Sequence, residues 1–559
     1  MLIAQNNNHI SGEPSMIKRN EWFEISTIGD LLVRAANQFP DREAVIFPDE
    51  RRTYQQLYDN AMRAARGLFA LGVRSGEHVG LMSANCPEFI EGLLGASMLG
   101  CVVVPINARH KASEIAYIIE NANLVALLTT ADENEYTNFT QLFCDALPDL
   151  AEAESPSALT LTQVPRLRST VLLKGEGRQG FMGQLEFCQL AKTVGEDEVH
   201  AARLRVGIND LALLVYTSGT TANPKGCMLS HETIVRGSVH RTRTRYASSE
   251  HHIAWNPGPL FHIAALAPFI GVMGVYGTYL TDTFFEPGRA IALMEQENVE
   301  MAWPWFPAIV QGVLDHPTFD PSKLASLRKL MLIGPPALAK RVLDTFPGTE
   351  LLQACGMTET AGIFALSDTE DTQEQRINTQ GRAAVGMEVR IASLNGEGDA
   401  APNEVGEILV RGYCVMDGYY RDAEKTASTL DKDGWLHTGD LYLRTEEGSL
   451  VFNGRLKDML KVGGENVAAI EIEAYLCEHP CVAIAEVVGK PDPRLDEVPV
   501  AFIELKPGKD VKEAELIEFC KGKIANYKVP RAIYIMKSGS WPMSATKVNK
   551  RVLRSMLCE

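Results

Sequence analysis

The first third of the chain alternates between segments with helical periodicity and short apolar runs. Residues 53–72 repeat apolar side chains at the spacing of one helix face, with Thr53 as the predicted N-cap and Gly72 beyond the end. Further helices are predicted from Pro87 and from about Ser113. The apolar runs between them predict buried strands, at residues 78–82, 101–106 and 125–129. This β-α-β-α-β order predicts a parallel sheet with helices on both faces.

An uncharged run of nineteen residues at 263–281 needs its own interpretation. It is long enough to cross a bilayer as a helix. However, Pro268, Gly271, Gly274 and Gly277 interrupt it, and such breaks are typical of a buried core or pocket element. We therefore predict no integral membrane segment, and a membrane protein built on this run is the alternative.

The pattern changes twice in the second half of the chain. From Gly386 onward, short alternating strands separated by glycines predict a β-rich subdomain. From residue 459, helices and strands of a compact α+β unit are predicted. The chain is therefore expected to be an α/β protein. Its large N-terminal domain, residues 1–454, combines parallel sheets, flanking helices and the β-rich subdomain. Residues 455–458 form the junction to a small α+β C-terminal domain at 459–559.

Composition narrows the classes of function. The 559 residues include 54 Lys and Arg against 71 Asp and Glu, a net charge of −17, so no general excess of cations exists to neutralise nucleic-acid phosphates. The eleven cysteines form no CxxC pair, which argues against a disulfide framework or a structural zinc site and favours the reducing cytoplasm. Arg241, Arg243 and Arg245 alternate with threonines, and we interpret them as a solvated face.

The sharpest chemical signal is the segment 216–226. It combines five hydroxyl-bearing side chains, two glycines and a lysine, and it is predicted to join a buried strand at 211–217 to a helix from about His231. Backbone N–H groups, hydroxyls and an ammonium in one loop are suited to polyphosphate oxygens. A plain surface turn needs glycine and proline but not five hydroxyls. The predicted phosphate-binding residues are Thr217, Ser218, Gly219, Thr220, Thr221 and Lys225.

This loop resembles the phosphate loop of the AMP-forming acyl-CoA synthetase superfamily, which includes acyl- and aryl-CoA ligases, peptide-synthetase adenylation domains and luciferases. Seven further segments match motifs of that superfamily in order, so that the likeness covers about residues 25 to 555. These segments are residues 258–262, 334–337, 354–359, 437–440, 454–458, 463–466 and 542–547. Three positions depart from the pattern. Ala222 stands where a second glycine is usual in the phosphate loop, Cys355 replaces the usual aromatic residue, and Thr546 replaces the glycine before Lys547.

The resemblance implies a role for each matching residue. His262 would border the acyl pocket, Glu359 would bind Mg²⁺, and Lys547 would bridge the carboxylate and the α-phosphate. With Thr358, these are the predicted catalytic residues, and Lys550 is a rival to Lys547. The remaining predicted nucleotide- and CoA-binding residues are Gly334, Pro335, Pro336, Cys355, Gly356 and Met357 around adenine, Asp440 and Arg455 on the ribose, Lys457 at the hinge, and Gly463 and Gly464 along the thiol tunnel.

The chemistry of such a reaction agrees with these residue types. Attack of a carboxylate on the α-phosphorus of ATP brings two anions together, so catalysis must consist mainly of positioning and charge neutralisation. Mg²⁺ prefers one or two carboxylates together with phosphate oxygens. Glu359 could supply the carboxylate, and ATP the phosphate oxygens. The expected co-substrates and cofactors are ATP, CoA and Mg²⁺, and the C-terminal domain is expected to be mobile.

The acyl group is expected to be apolar. No Lys or Arg lies between Ile263 and Glu286, whereas a second carboxylate on the substrate would require a buried cation. We predict an AMP-forming ligase of CoA and an apolar acid, either fatty or cyclic. An enzyme that loads a separate carrier protein is the alternative, and a non-enzymatic nucleotide sensor is disfavoured by the complete set of charged residues. A homodimer is left open, and no nucleic-acid partner is expected.

Overall fold

The computed structural model describes residues 24–132, 138–217, 223–394, 396, 398–462, 465–544 and 547–557. Several predicted site residues therefore lie outside the description, namely Ser218, Gly219, Thr220, Thr221, Gly463 and Gly464. For Lys547 the description is limited to the backbone.

Helices and strands alternate through most of the N-terminal part. In chain order they are α1 Ile28–Gln38, β1 Glu43–Ile46, β2 Arg51–Thr53, α2 Tyr54–Ala70, β3 His78–Met82, α3 Pro87–Met98, β4 Val102–Pro105, α4 Ala112–Asn121, β5 Ala126–Thr130, α5 Phe139–Ala146, β6 Ser169–Lys174, α6 Gln184–Ala191, α7 Glu196–Arg203, β7 Leu211–Thr217, β8 Lys225–Ser230, α8 His231–Arg241, β9 Ile253–Trp255, α9 Ile263–Gly274, β10 Thr278–Leu280, α10 Pro287–Gln296, β11 Met301–Trp305, α11 Pro307–Leu314, β12 Lys329–Leu332, α12 Pro336–Thr345, β13 Glu350–Leu352, β14 Ala354–Met357, β15 Gly362–Leu366, α13 Gln373–Asn378 and β16 Arg382–Ala383.

Strands dominate the remainder of the chain. They and their helices are β17 Met387–Ser393, β18 Gly406–Gly412, β19 Gly418–Tyr419, α14 Ala423–Thr429, β20 Leu436–Arg444, β21 Leu450–Arg455, β22 Met459–Val462, β23 Glu465–Ala468, α15 Ala469–Cys477, β24 Val482–Asp492, β25 Asp496–Leu505, α16 Glu513–Cys520, β26 Ala532–Met536, β27 Met543–Ser544, β28 Lys547–Val548 and α17 Lys550–Ser555.

Two seven-stranded sheets form the frame of the N-terminal part. Their strand orders are β19-β8-β7-β4-β3-β5-β6 and β13-β12-β11-β9-β10-β1-β2. Strands β7, β4, β3, β5 and β6 run parallel in the first sheet, and all strands but β2 do so in the second. The largest hydrophobic cluster joins both sheets through side chains of α1, α2, α3, α8 and α9. The predicted parallel α/β architecture is confirmed.

The helix predicted at 53–72 is α2, and its cap, its buried face and its end all follow from the local sequence. Thr53 caps α2, accepting from the N–H of Gln56 while the Gln56 side chain accepts from the N–H of Thr53. The buried side of the helix follows the predicted apolar face, and Gly72 takes a left-handed φ of +78° just beyond it. A side chain at Gly72 would be strained by that φ, which explains a glycine at the end of the helix.

The predicted β-rich region is confirmed. β17, β18, β20 and β21 form an antiparallel four-stranded sheet, and β14, β15 and β16 form a smaller antiparallel sheet beside it. The C-terminal part has a sheet of its own, β23-β22-β25-β24 with β26 on β25, and its own hydrophobic cluster. The hairpin β22–β23 was not predicted.

The uncharged run at 263–281 folds as the helix α9 and the strand β10. Pro268 lies inside α9, whose side chains are almost all buried in the main cluster. In the described ranges no helix is both long and apolar enough to cross a bilayer.

One local prediction was wrong. The hydroxyl-rich loop does not lead from a strand to a helix, because β8 pairs antiparallel with β7 and begins at Lys225, opposite Thr217. Strands β7 and β8 therefore form a hairpin whose connecting residues 218–222 lie outside the described residues, and α8 begins only after β8.

Candidate active site

A short turn brings one carboxylate into the interior of the protein. After β14, residues Thr358–Thr360 form a 3₁₀ turn that ends at Ala361 with a left-handed φ of +47°. Glu359 on this turn is buried, and its Oε1 accepts a 2.9 Å hydrogen bond from the Tyr419 hydroxyl. Burial raises the pKa of the Glu359 carboxyl, whereas hydrogen bonds from its own backbone and from Tyr419 oppose the rise.

Tyr419 also lies beside a cation. β19 pairs antiparallel with β8, and Nζ of Lys225 at the start of β8 lies 5.7 Å from the centroid of the Tyr419 ring. Burial lowers the pKa of the Lys225 ammonium, and the Glu359 carboxylate opposes that effect. One phenol is therefore flanked by a carboxylate and an ammonium. Such a pair can bind a divalent cation and phosphate oxygens next to each other.

Asp440 and Arg455 form an ion pair across two neighbouring strands. They are opposite residues of β20 and β21, and Nε of Arg455 lies 3.0 Å from Oδ1 of Asp440. The Asp440 N–H donates to Oγ1 of Thr438 at 3.0 Å, which fixes the turn where the carboxylate projects. The two side chains remain partly exposed, so a ligand with hydroxyl groups can reach both.

Cys355 does not leave an open space. Its side chain is 2% exposed and lies in a cluster that contains Phe364 and Tyr442. Burial raises the pKa of the Cys355 thiol to about 12, while a hydrogen bond with Tyr442 opposes the rise. The volume of the missing aromatic ring is thus already taken by neighbouring side chains.

The remaining predicted adenine residues are on two loops. Gly334 and Pro335 lie between β12 and α12, and Pro336 starts α12. Gly356 is exposed on β14, where a Cβ atom would lie 2.5 Å from the carbonyl oxygen of Gly362. Among the described residues, no hydrogen bond joins 334–336 to 355–357, whereas a hydrogen bond and a cation–ring contact join Tyr419 to Glu359 and Lys225.

His262 caps the helix that borders a small cavity. Its Nδ1 accepts from the N–H of Ala264 at 3.2 Å at the start of α9. The lining of this cavity includes Ala264, two residues after His262, and Gly362, three residues after Glu359. An acyl group in this cavity would therefore have its carboxylate end near the Glu359 turn.

The interpretation of the three arginines was wrong for Arg241. Arg243 is exposed, but Arg241 is only 5% exposed, and Arg245 is paired with Glu350 at 3.0 Å. The three arginines were interpreted as one solvated face because they occupy every second position of the sequence. In a helix the residues 241 and 245 are one turn apart and share the inner face.

Lys550 is committed to the interior of the C-terminal part. Its ammonium contacts the Glu473 carboxylate and lies 3.4 Å from Oε2 of Glu486. Burial lowers the pKa of Lys550, but the two carboxylates outweigh it and raise the pKa above its ordinary value. These contacts hold Lys550 within the C-terminal part of the chain.

The described residues offer few protein ligands for a metal ion. Among the described residues, no three His, Cys, Asp or Glu side chains converge to hold a metal by themselves. Glu359 alone fits Mg²⁺, which takes few protein ligands when phosphates supply the others.

Tyr419 was not predicted, because β19 is only two residues long and no local pattern marks it.

The fold and the site together define a nucleotide-binding enzyme, and comparisons with known proteins identify its class. The family model of AMP-binding enzymes matches residues 32–420, and that of the AMP-binding enzyme C-terminal domain matches residues 471–546. The chain is 32% identical to the putative acyl-CoA synthetase YngI of Bacillus subtilis, over 96% of this chain and 97% of the relative.

Two further likenesses cover nearly the whole chain. A CoA ligase of Rhodococcus jostii, named for a propanoyl group on a methyl-dioxo-octahydroindene ring system, is 34% identical over 95% of this chain and 98% of its own. The crystal structure of the anthranilate CoA ligase AuaEII with anthranoyl-AMP matches with a TM-score of 0.81 at 25% identity, over 96% and 98% of the two chains.

The chain therefore belongs to the AMP-binding enzyme family, in which it is an AMP-forming acid–CoA ligase. The predicted resemblance and fold class are confirmed, and so is the predicted use of ATP and CoA.

The filled space around Cys355 leads to a prediction. Cys355→Tyr should overpack the cluster and weaken the enzyme, lowering the melting temperature as expected for a cost of about 1–3 kcal/mol and raising the KM for ATP. The matched control is Cys477→Tyr, because Cys477 is exposed on α15. A lower KM for ATP in Cys355→Tyr would show instead that a ring can be accommodated next to the nucleotide.

Proposed function

We propose that this enzyme activates a carboxylic acid with a largely apolar body, either fatty or cyclic, and transfers it to CoA. The observation that supports it most is the position of the cavity. It begins at the residues that follow His262 and Glu359, so an apolar group within it would present its carboxylate to the charged site. The alternative acceptor, a separate carrier protein, has the same first half-reaction.

The charged residues have proposed roles in adenylation. Lys225 and the hydroxyl-rich loop from Thr217 to Thr221 bind the β- and γ-phosphates, while Asp440 and Arg455 bind the ribose. The residues of 334–336 and 355–357 surround the adenine. Mg²⁺ held by Glu359 would neutralise phosphate charge. Tyr419 orients the Glu359 carboxylate by its hydrogen bond and keeps it next to Lys225.

Lys547 is proposed to join the carboxylate to the α-phosphate. Its cation would reduce the repulsion between two anions at the step where it is greatest. The rival Lys550 is supported less, since it is enclosed by Glu473 and Glu486. Gly463 and Gly464 are proposed to guide the thiol in the second half-reaction.

A hinge at residues 455–458 is proposed between two ion pairs. Arg455 pairs with Asp440 on the N-terminal side, whereas Asp458 pairs with Arg554 of α17 at 3.0 Å. Lys457 lies between them in a single 3₁₀ turn. A rotation about this turn would leave both ion pairs intact, and could present Lys547 and the 463–464 loop in sequence.

Release of pyrophosphate tests the proposed function. A panel of fatty acids of increasing length and of one- and two-ring acids is supplied with ATP and Mg²⁺, with and without CoA. We expect pyrophosphate release that depends on the acid, and thioester only when CoA is present. Pyrophosphate release without thioester in the presence of CoA would favour a carrier protein, and no acid-dependent release would contradict the proposal.

Lysine variants serve as the internal control of that experiment. Lys547→Ala should lose about 10²–10³ in the rate of adenylation and still form thioester from supplied acyl-adenylate. Lys550→Ala should lower stability, because it leaves two partly buried carboxylates without their cation, but should keep adenylation in the folded fraction. The reverse pattern would show that Lys550 is the catalytic residue.

Fixing the hinge should separate the two half-reactions. Lys457→Pro holds φ near −65°, which the 3₁₀ turn accepts but a rotation does not. We expect adenylation to remain and thioester formation from isolated acyl-adenylate to fall by orders of magnitude, with Lys457→Ala as the control for loss of the side chain. If both rates fall equally, the proline has damaged the fold. If both persist, the hinge is elsewhere.

A further inference from the structure

Hydrogen-bond donors without partners are concentrated on the wall of the cavity beside His262. Four of its lining residues carry a buried nitrogen or oxygen that bonds to nothing in the described residues. These atoms are Oγ of Ser238, Nη1 of Arg241, the hydroxyl of Tyr246 and Nε1 of Trp305. Each of them can donate a hydrogen bond, whereas buried polar atoms in folded proteins nearly always have a partner.

Arg241 is the most unusual of the four. Its side chain is 5% exposed, and no carboxylate among the described residues is within salt-bridge distance of its guanidinium. Burial of a charge without a counter-ion strongly destabilises a folded protein, so such a charge is kept where it serves a function such as ligand binding. The charge cannot be relieved by proton loss, because an arginine side chain stays protonated.

Local backbone features hold the guanidinium in this place. The last turn before it contains Gly237, where a Cβ atom would lie 2.5 Å from Nη1 of Arg241. After Arg241 the helix widens into a π-helical turn, Thr242–Tyr246, a form that is rare and frequent at functional sites. A larger residue at 237 would displace the guanidinium from the cavity.

Trp305 reaches the same wall through a strained backbone. Its φ is +59°, and the N–H of Phe306 donates to the carbonyl of Pro304 at 2.7 Å across it. Such a turn costs energy in a residue with a side chain, and strain of this kind tends to be kept at binding sites. Here it sets the indole N–H among the other donors of the cavity.

The phenols of Tyr246 and Tyr413 lie beside the Arg241 guanidinium but do not supply a negative charge to pair with it. Burial raises the pKa of Tyr246 to about 12, and the charge of Arg241 opposes that rise; Tyr413 experiences the same two effects. Both phenols are therefore neutral at physiological pH. Only Tyr246 lines the cavity, and a neutral phenol beside Arg241 leaves the charge of the guanidinium uncompensated.

We infer that the acid activated by this enzyme carries an oxygen acceptor at the end remote from its reacting carboxylate, and that Arg241 binds this oxygen in the cavity. This inference rests on the proposed function and refines its substrate class. The body of the acid fills the apolar part of the cavity, next to Ile263, Ala267 and Ile363. The remote group is a ketone or a second carboxylate, the two chemistries that accept hydrogen bonds from a guanidinium and an indole N–H. The expectation that the pocket lacks a cation fails because Arg241 enters it from α8, outside the segment 263–286.

The test compares acids that differ only at the remote end. For the chain length turned over best, three probes are used: the plain fatty acid, the acid with a ketone next to the far end, and the α,ω-dicarboxylic acid. A two-ring acid with and without a ring ketone extends the series. The wild type should prefer an oxygen-bearing acid by about 10–100-fold in kcat/KM, the range expected of a hydrogen bond to a charged group. Whether the ketone or the dicarboxylic acid is preferred distinguishes the two chemistries.

Arg241→Met should abolish this preference while the plain acid and the KM for ATP are unaffected. Arg243→Met is the matched control, because Arg243 is on the same turn and exposed, and it should keep the wild-type preference. A wild type that prefers the plain acids would overturn the inference, as would an Arg241→Met variant that slows all acids equally. If no acid releases pyrophosphate, the proposed function fails; quenching of tryptophan fluorescence by the dicarboxylic and ketone acids, with and without Arg241→Met, then still decides whether Arg241 binds the remote oxygen.

Discussion

The hydrogen bond from Tyr419 to Glu359 joins parts of the fold that are far apart in sequence. Tyr419 is on the edge strand of the first large sheet, and Glu359 is on the turn of the small antiparallel sheet. The N–H of Met416 adds a 2.9 Å bond to the backbone carbonyl of Glu359. The carboxylate is consequently fixed beside Lys225. A reaction between two anions depends on such fixed charges, because they need no reorganisation when the reaction occurs.

The charged site and the cavity make different demands on the protein. The proposed nucleotide site requires charges that a ribose can reach, and Asp440 and Arg455 remain partly exposed. The acyl end requires a dry, apolar wall, and there the few polar atoms are buried. Gly362 connects the two, since it follows the Glu359 turn and lines the cavity. Its φ of +101° allows the chain to pass directly from one to the other.

Much of the fold was predictable because local patterns determine it. The apolar run 211–217 forms β7 with the predicted bounds. Thr53 precedes the start of α2 and Gly72 follows its end, as expected. β8 was missed because its residues show no alternation, and it is a strand only because β7 and β19 pair with it. The ion pair of Asp440 and Arg455 joins two residues that motifs had indicated, whereas Tyr419 and the burial of Arg241 depend on partners remote in the chain. Single-sequence reasoning has no signal for such contacts.

The central claim is that Glu359, oriented by Tyr419, binds the metal that accompanies ATP. It is tested most directly by the Mg²⁺ dependence of pyrophosphate release in Tyr419→Phe, with Glu359→Gln and the wild type measured in parallel. Loss of the hydroxyl removes a hydrogen bond that stabilises the ionised carboxylate, so the pKa of Glu359 should rise further and Mg²⁺ should bind less well. The account predicts a Mg²⁺ requirement about 10–100-fold higher in Tyr419→Phe, and a larger effect in Glu359→Gln, with the fold preserved. An unchanged Mg²⁺ dependence in both variants would contradict it.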